Sequence, residues 1–245
     1  MSCPRFHVPE AAPGARVTLP DHAAHHAREV LRLRPGARVR VFDGRGSEYD
    51  AVLDTVTRRI VDARLGGAVT PRPESPVRIA LALAPLKGDR MELVIQKATE
   101  LGVTSIHPVV TARTDAVARP ALHGSRQDRW DKVASGAAEQ CGRAVVPPVA
   151  PTKTLRDFLA VPMGGRRILL LETAGVPLLA RVGALGPSGG VVFLLGPAGG
   201  WEEHEVRQIQ DAGYVAAGLG PRILRAETAA LAAVSIAQAL WGDLG

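Results

Sequence analysis

Three prolines in six residues, Pro71-Arg72-Pro73-Glu74-Ser75-Pro76, cut this chain into two differently patterned parts. Proline fixes φ and removes a backbone donor, so the segment reads as a stiff connector and not as part of a helix or strand. Before it, short apolar-alternating runs at 5–8, 15–19, 37–42, 48–53 and 58–65 are separated by Gly, Pro and Asp turn signals, which predicts a small β-barrel. One helix, started by Asp21 and running through Val30-Leu31, is expected within it, stopped by Pro35-Gly36. After the connector, strands and helices alternate. Strands are expected at 77–84, 105–110, 168–171, 191–195 and 214–217, and helices at 89–101, 126–142, 202–212 and 227–241. This is the pattern of an α/β domain with a mainly parallel sheet. The expected domains are 1–70, a connector at 71–76, and 77–245.

In the helix at 89–101, Met91, Val94, Ile95, Ala98 and Leu101 fall on one stripe, with Asp89 and Glu92 spaced as a capping pair and Gly102 as the stop. The last helix is apolar nearly all round, from Ala229 to Leu240, so it belongs either in a deep core or against another subunit.

Composition excludes several classes. No apolar run approaches a membrane span, and the start lacks the apolar segment of a secretory signal. Cys3 and Cys141 make neither a disulfide framework nor a metal spacing, which favours a reduced, cytoplasmic setting. His22 and His26 stand one helical turn apart, but no third ligand accompanies them, so no metal is expected. The net charge of +6 permits a polyanionic partner without requiring one.

The chemistry concentrates near the C-terminus. Leu194-Leu195-Gly196-Pro197-Ala198-Gly199-Gly200 and Leu219-Gly220-Pro221-Arg222-Ile223-Leu224-Arg225-Ala226-Glu227-Thr228 each follow an expected strand and lead toward a helix. Glycine there lets backbone approach a ligand closely, and ligands of parallel sheets sit at the carboxyl ends of strands. Neither dinucleotide nor P-loop spacing is present. Arg222, Arg225 and Glu227 beside such a cradle can stabilise an anion or, equally, make surface ion pairs and favour the helix start.

Taken in order, these segments resemble the RsmE family, the 16S rRNA uracil-N3 methyltransferases of the SPOUT class. The likeness includes Arg5-Phe6, His25-His26-Ala27-Arg28-Glu29-Val30-Leu31-Arg32-Leu33 with Gly36, and Asp43-Gly44-Arg45-Gly46. It continues through Lys87-Gly88-Asp89-Arg90, Gln96-Lys97-Ala98-Thr99-Glu100-Leu101-Gly102-Val103 with Pro108, Ala138-Glu139-Gln140-Cys141-Gly142-Arg143 with Pro147, and both glycine clusters. The resemblance implies a PUA-like RNA-binding β-barrel followed by a trefoil-knotted SPOUT α/β domain, a homodimer, and 16S rRNA or the small ribosomal subunit as partner. It implies S-adenosylmethionine as cofactor, bound by Glu172, Thr173, Leu195, Gly196, Pro197, Gly199, Gly200, Leu219, Gly220, Ile223 and Leu224. The catalytic pair would be Arg225, as the positive charge near the base, and Glu227, orienting Arg225 or relaying the proton. RNA contacts would come from Arg5, Arg32 and Arg34, continued by Lys87, Arg113 and Arg143. Where the family usually carries glutamate in the first cluster, this chain has Ala198, and cofactor binding is expected to survive the change. Two other readings fit the same residues: methylation of a ribose 2′-oxygen or another base, and a non-catalytic rRNA-binding assembly factor.

Overall fold

The computed structural model describes residues 3–116, 126–183 and 189–245. The chain divides into two units, Met1–Glu74 with Ser135–Val146, and Ser75–Ala134 with Pro147–Gly245. The division thus falls inside the proline-rich segment, and a stretch from the second half of the sequence joins the first unit.

In the first unit, β1 (Arg5–His7), β2 (Arg16–Thr18), β3 (Arg38–Phe42), β4 (Glu48–Val56) and β5 (Val61–Val69) form one sheet in the order β1-β3-β4-β5-β2. The β1–β3 pair is parallel and the others are antiparallel. Alternation carries the fold: Val39 and Val41 point into a core with Phe6, Val17, Leu53, Ala63 and Leu65, while Arg38 and Arg40 point away. Register shifts in the β4–β5 pairing, between Tyr49 and Ala51 and between Leu53 and Thr55, bend the sheet. This is the β-rich unit that the strand pattern predicts, in keeping with the PUA-like fold that the resemblance implies. The fifth strand starts later than 58 because residues 57–60 close a turn, with the Thr57 N–H donating to the Ile60 carbonyl at 2.9 Å. It then runs on through Gly66-Gly67 to Val69.

The short helix α1 (Asp21–His25) passes into a π-helical turn, His26–Val30. Asp21 does not cap it. Pro20 holds the capping position and Asp21 is the first helical residue, so its side chain lies beyond the backbone donors it was expected to satisfy.

The second unit is built on a fully parallel six-stranded sheet. Its strands are β6 (Ile79–Leu83), β7 (Ser105–Val110), β8 (Lys153–Thr154), β9 (Arg166–Leu170), β10 (Val191–Leu195) and β11 (Val215–Ala217), in the order β11-β9-β10-β6-β7-β8. Every residue of β6 and β10 is buried, as in a sheet covered on both faces. The helices are α2 (Arg90–Glu100), α3 (Gln127–Cys141), α4 (Leu155–Leu159), α5 (Leu178–Val182), α6 (Glu203–Asp211) and α7 (Ala226–Trp241). From Ser135 onward α3 belongs to the first unit. Ala80, Ala82, Val192 and Leu194 form a core with Leu155, Phe158 and Ile209 from α4 and α6. On the other face α7 packs on α2, β6 and β10.

Met91, Val94, Ile95 and Ala98 are buried as the helical stripe requires, with Thr99 in place of Leu101, which ends the helix. The Asp89–Glu92 cap does not form. Asp89 makes no capping bond, and Glu92 instead meets Arg129 Nε at 2.6 Å, an ion pair that sequence spacing cannot reveal. A reciprocal capping box forms elsewhere, between Glu202 and Glu205 at the start of α6. The sequence reading has no counterpart for β8, α4 or α5, which are too short for periodicity to register.

Candidate active site

The order of the parallel sheet places a topological switch point between β6 and β10. From β6 the chain builds outward through β7 and β8, then returns on the other side through β9, β10 and β11. Crevices at the carboxyl ends of strands flanking such a point are the usual ligand sites of α/β sheets. A cavity of about 820 Å³ lies at these ends. Four chain segments line it: Leu86 and Arg90 after β6, Leu170 to Thr173 after β9, Leu195 to Ala198 with Gly200, Trp201 and the first turns of α6 after β10, and Leu219, Gly220 and Arg222 to Glu227 after β11.

Tight backbone packing shapes these walls. A Cβ on Gly196 would stand 2.8 Å from the indole of Trp201, so only glycine lets Trp201 lie against the loop. A Cβ on Gly218 would meet the Ala174 carbonyl at 2.9 Å, where the loops after β9 and β11 are laced together. The Gly218 N–H donates to the Val176 carbonyl at 2.9 Å, and the Leu178 N–H donates to the Gly218 carbonyl at 2.7 Å. The loop after β10 is closed by the Gly200 N–H donating to the Pro197 carbonyl at 2.9 Å. Ala198 is exposed on this turn and its side chain takes no part in that bond.

The cavity brings together ten of the eleven residues expected to bind cofactor: Glu172, Thr173, Leu195, Gly196, Pro197, Gly200, Leu219, Gly220, Ile223 and Leu224. Gly199 is outside the lining, and its carbonyl accepts a hydrogen bond from Arg113 Nη1 at 3.1 Å. Both expected catalytic residues also line the cavity. Arg225 is exposed at the N-cap of α7, and Glu227 lies in its first turn with the side chain 12% exposed. Glu227 Oε2 is buried without a hydrogen-bond partner among the described residues, and Oε1 lies 4.0 Å from Arg90 Nη1. Sequence reasoning missed Arg90 and Trp201 as site residues. Trp201 directly follows the first glycine cluster, and Arg90 follows the first strand of the parallel sheet, so the strand-end rule could have found both.

The expected RNA contacts divide sharply. Arg32 and Arg34 are exposed in the first unit, and Arg32 holds a left-handed φ of +53°. Arg5 is enclosed: Nε donates to Glu48 Oε1 at 2.8 Å, Nη1 to the Ala138 and Glu139 carbonyls, and Nη2 to the Arg143 carbonyl at 3.0 Å. Its guanidinium also lies 4.6 Å from the centre of the Phe42 ring. Arg143 is buried on Glu74, with Nε 3.0 Å from Oε2. Both guanidinium groups are engaged in holding the first unit together, which removes them from an RNA-facing track. Lys87 pairs with Asp115 on the surface of the second unit, and Arg113 braces the loop after β10.

Around Arg5 lies a polar cluster with shifted acidities. The His7 N–H donates to Glu139 Oε1 at 2.8 Å, and His7 Nδ1 is 2.9 Å from Ser135 Oγ. Burial pushes the Glu139 carboxyl up to about 7, against the opposing pull of that N–H and of Arg5. Burial also lowers His7, outweighing the Asp43 carbonyl and nearby carboxylates that favour its charged form.

Among the described residues no helix is long and apolar enough to cross a membrane, and no cluster of three or more metal-ligating side chains occurs.

Residues 73–238 match a family model described as an RNA methyltransferase domain, and residues 19–65 match an RNA methyltransferase PUA domain. Two proteins named ribosomal RNA small subunit methyltransferase E are similar over most of the chain. The Synechocystis protein is 34% identical, covering 95% of this chain and 76% of its own length. The Bacillus subtilis protein is 30% identical, covering 92% and 90%. Among solved structures, the Neisseria gonorrhoeae methyltransferase E bound to S-adenosylmethionine superposes with a TM-score of 0.88 at 39% identity, covering both chains fully. A Legionella pneumophila protein solved in complex with the same bound cofactor gives 0.90 at 33% identity, again over both full chains.

Proposed function

This chain belongs to the RNA methyltransferase family of ribosomal RNA small subunit methyltransferase E, and we propose that it methylates N3 of one uridine in that RNA. It is an enzyme, and its cofactor is S-adenosylmethionine. The observation that carries the site assignment is the cavity at the strand ends. Its volume suits a ligand of that size, and its walls are packed so closely that a Cβ at Gly196 would displace Trp201. Leu195, Gly196, Pro197, Leu219, Gly220, Ile223 and Leu224 would hold the cofactor, with Glu172 and Thr173 supplying polar groups. When bound, S-adenosylmethionine supplies a methyl on a cationic sulfur, already activated for transfer.

The chain's own residues then face the less reactive partner. Uracil N3 carries a proton about as acidic as a phenol, with a pKa of about 10, so forming its anion at neutral pH costs about 4 kcal/mol. Arg225, exposed at the cavity rim, supplies positive charge where the uracil oxygens become anionic. Glu227 receives the N3 proton. A shielded carboxylate oxygen lacking any donor is costly to keep, and a substrate N–H is the kind of partner it lacks. Because N3 lies on the pairing edge, the target uridine must be unpaired or flipped out when it enters.

Arg32 and Arg34 would grip phosphates from the first unit. The protein would act as a homodimer in the cytoplasm. Support for pairing comes from the C-terminal helix, which buries Ala230, Ala233, Val234 and Ala237 yet leaves Leu240 exposed, with Leu93 of α2 exposed as well. Light scattering of the purified protein tests the dimer.

The deciding experiment incubates unmodified small-subunit rRNA with protein and labelled S-adenosylmethionine, then maps the product by mass. Label at uracil N3 is expected. An Arg225→Ala variant should lose 10²- to 10³-fold in kcat with little change in cofactor affinity. Label on a ribose oxygen, or Arg225→Ala at the wild-type rate, would overturn the respective assignment.

A further inference from the structure

The carboxylate assigned to the N3 proton faces a charged residue in the cavity that no part of the reading above uses, Arg90. Arg90 is the first residue of α2 and reaches the cavity from the β6 side. Glu227 comes from the β11 side, in the first turn of α7. Their nearest atoms, Arg90 Nη1 and Glu227 Oε1, are 4.0 Å apart, close enough for attraction but too far for a hydrogen bond. Arg90 is anchored lower down, its Nε donating to the Lys87 carbonyl at 3.3 Å. Glu227 Oε2 meanwhile is buried with no donor among the described residues. The carboxyl group is therefore shielded yet not locked, and a guanidinium is poised at one of its oxygens.

We propose that Arg90 is a positioning residue for the methyl transfer: it closes onto Glu227 Oε1 and aims the other carboxylate oxygen at the substrate N3–H. The inference rests on the proton-accepting role given to Glu227. In the step, the N3–H bond breaks and its electron pair stays on the uracil ring. A new O–H bond forms on Glu227, and after turnover that proton passes to water, restoring the ion pair. Arg90 touches neither the proton nor the methyl. A guanidinium suits the task because its planar donors fix the plane of a carboxylate, which the point charge of lysine does only partly. A misaligned acceptor also costs rate steeply, since about 1 Å of misplacement can cost 10²-fold.

The test is a double-mutant cycle with Arg90→Met, Glu227→Gln and the pair, assayed with rRNA and saturating S-adenosylmethionine. Cofactor affinity is measured in parallel by calorimetry. Arg90→Met is expected to lower kcat roughly 10- to 100-fold, with cofactor Kd held within about threefold. Arg90→Lys should recover part of the loss. In the Glu227→Gln background, Arg90→Met should add no more than about twofold, because the residue through which it acts is already disabled. Independent, multiplying losses would overturn the proposal. So would an Arg90→Met defect confined to cofactor Kd, or no defect. Glu227→Gln at the wild-type rate would instead bring down the proton assignment itself, and with it this inference. Should Arg90→Met lower the melting temperature, Arg90→Lys carries the same cycle in a folded protein, with its smaller loss again expected to vanish on Glu227→Gln.

Discussion

In the first unit Arg5 and Arg143 direct their guanidinium groups inward, onto Glu48, Glu74 and backbone carbonyls. In the second, Arg222 and Arg225 stand exposed at the rim of the cavity. The residue type is the same and the formal charge is the same. What differs is hydration. An enclosed guanidinium must replace lost water with several acceptors, and once it has them it offers nothing to a ligand. An exposed one keeps its donors available for charge that appears only during reaction. The second contrast is between materials: the first unit's cluster is built around side-chain charges that draw in backbone groups, whereas the cavity walls owe their shape to close-packed backbone.

The largest expected effect tests the first contrast. Arg5→Ala leaves Glu48, only 3% exposed, and two stretches of carbonyls without their donor, and should cost about 3–5 kcal/mol of stability. Thermal melting would show it directly. If Arg5→Ala melts like the wild type but binds rRNA weakly, Arg5 is a surface contact after all and the contrast fails.

Next comes Glu139, whose carboxyl burial raises from 4.5 to about 7. The folded unit therefore binds this proton more tightly than the unfolded chain does. The stabilisation this gives is complete below about pH 4.5 and is lost as pH rises through about 7. Glu139→Gln is neutral throughout and can still accept from the His7 N–H. It should gain on the wild type between pH 5 and pH 8 by up to about 3 kcal/mol. A constant difference in melting temperature across that range would remove Glu139 from the account.

The backbone cradle is probed by Gly196→Ala. The added Cβ would press on the Trp201 indole at 2.8 Å, so Trp201 must move. S-adenosylmethionine affinity should fall by about tenfold or more, which is about 1.4 kcal/mol. Calorimetry returning the wild-type Kd would show that this wall does not shape the cofactor site. The smallest effect belongs to Arg32→Ala and Arg34→Ala. Each should weaken rRNA binding modestly and reduce the slope of log K against log salt by about one. An unchanged slope would take both off the proposed phosphate track.

Much of this molecule is legible before folding. The buried alternation of β3, the helical stripe of α2 and the apolar runs of β6 and β10 are written in local periodicity, which reports burial directly. Ten of the eleven residues expected to bind cofactor line one cavity, where glycine clusters after strands of a parallel sheet let backbone close in. Illegible were the features that depend on partners far along the chain. Glu92 reads as a capping residue until Arg129 arrives beside it, and Gly199 reads as cradle until Arg113 takes its carbonyl. Arg5 and Arg143 read as RNA contacts until their acceptors, dozens of residues away, enclose them.

Sequence alone thus determined which segments become strands and helices, where backbone can come near a ligand, and which family's chemistry to expect. Those properties depend on neighbours within a few residues, or on patterns shared with relatives. Tertiary structure alone decided which charges are hydrated and which are enclosed. It set Arg90 against Glu227, raised Glu139 and left Arg225 free at the rim. Solvation and Coulomb attraction act through space, and only the folded chain supplies those distances.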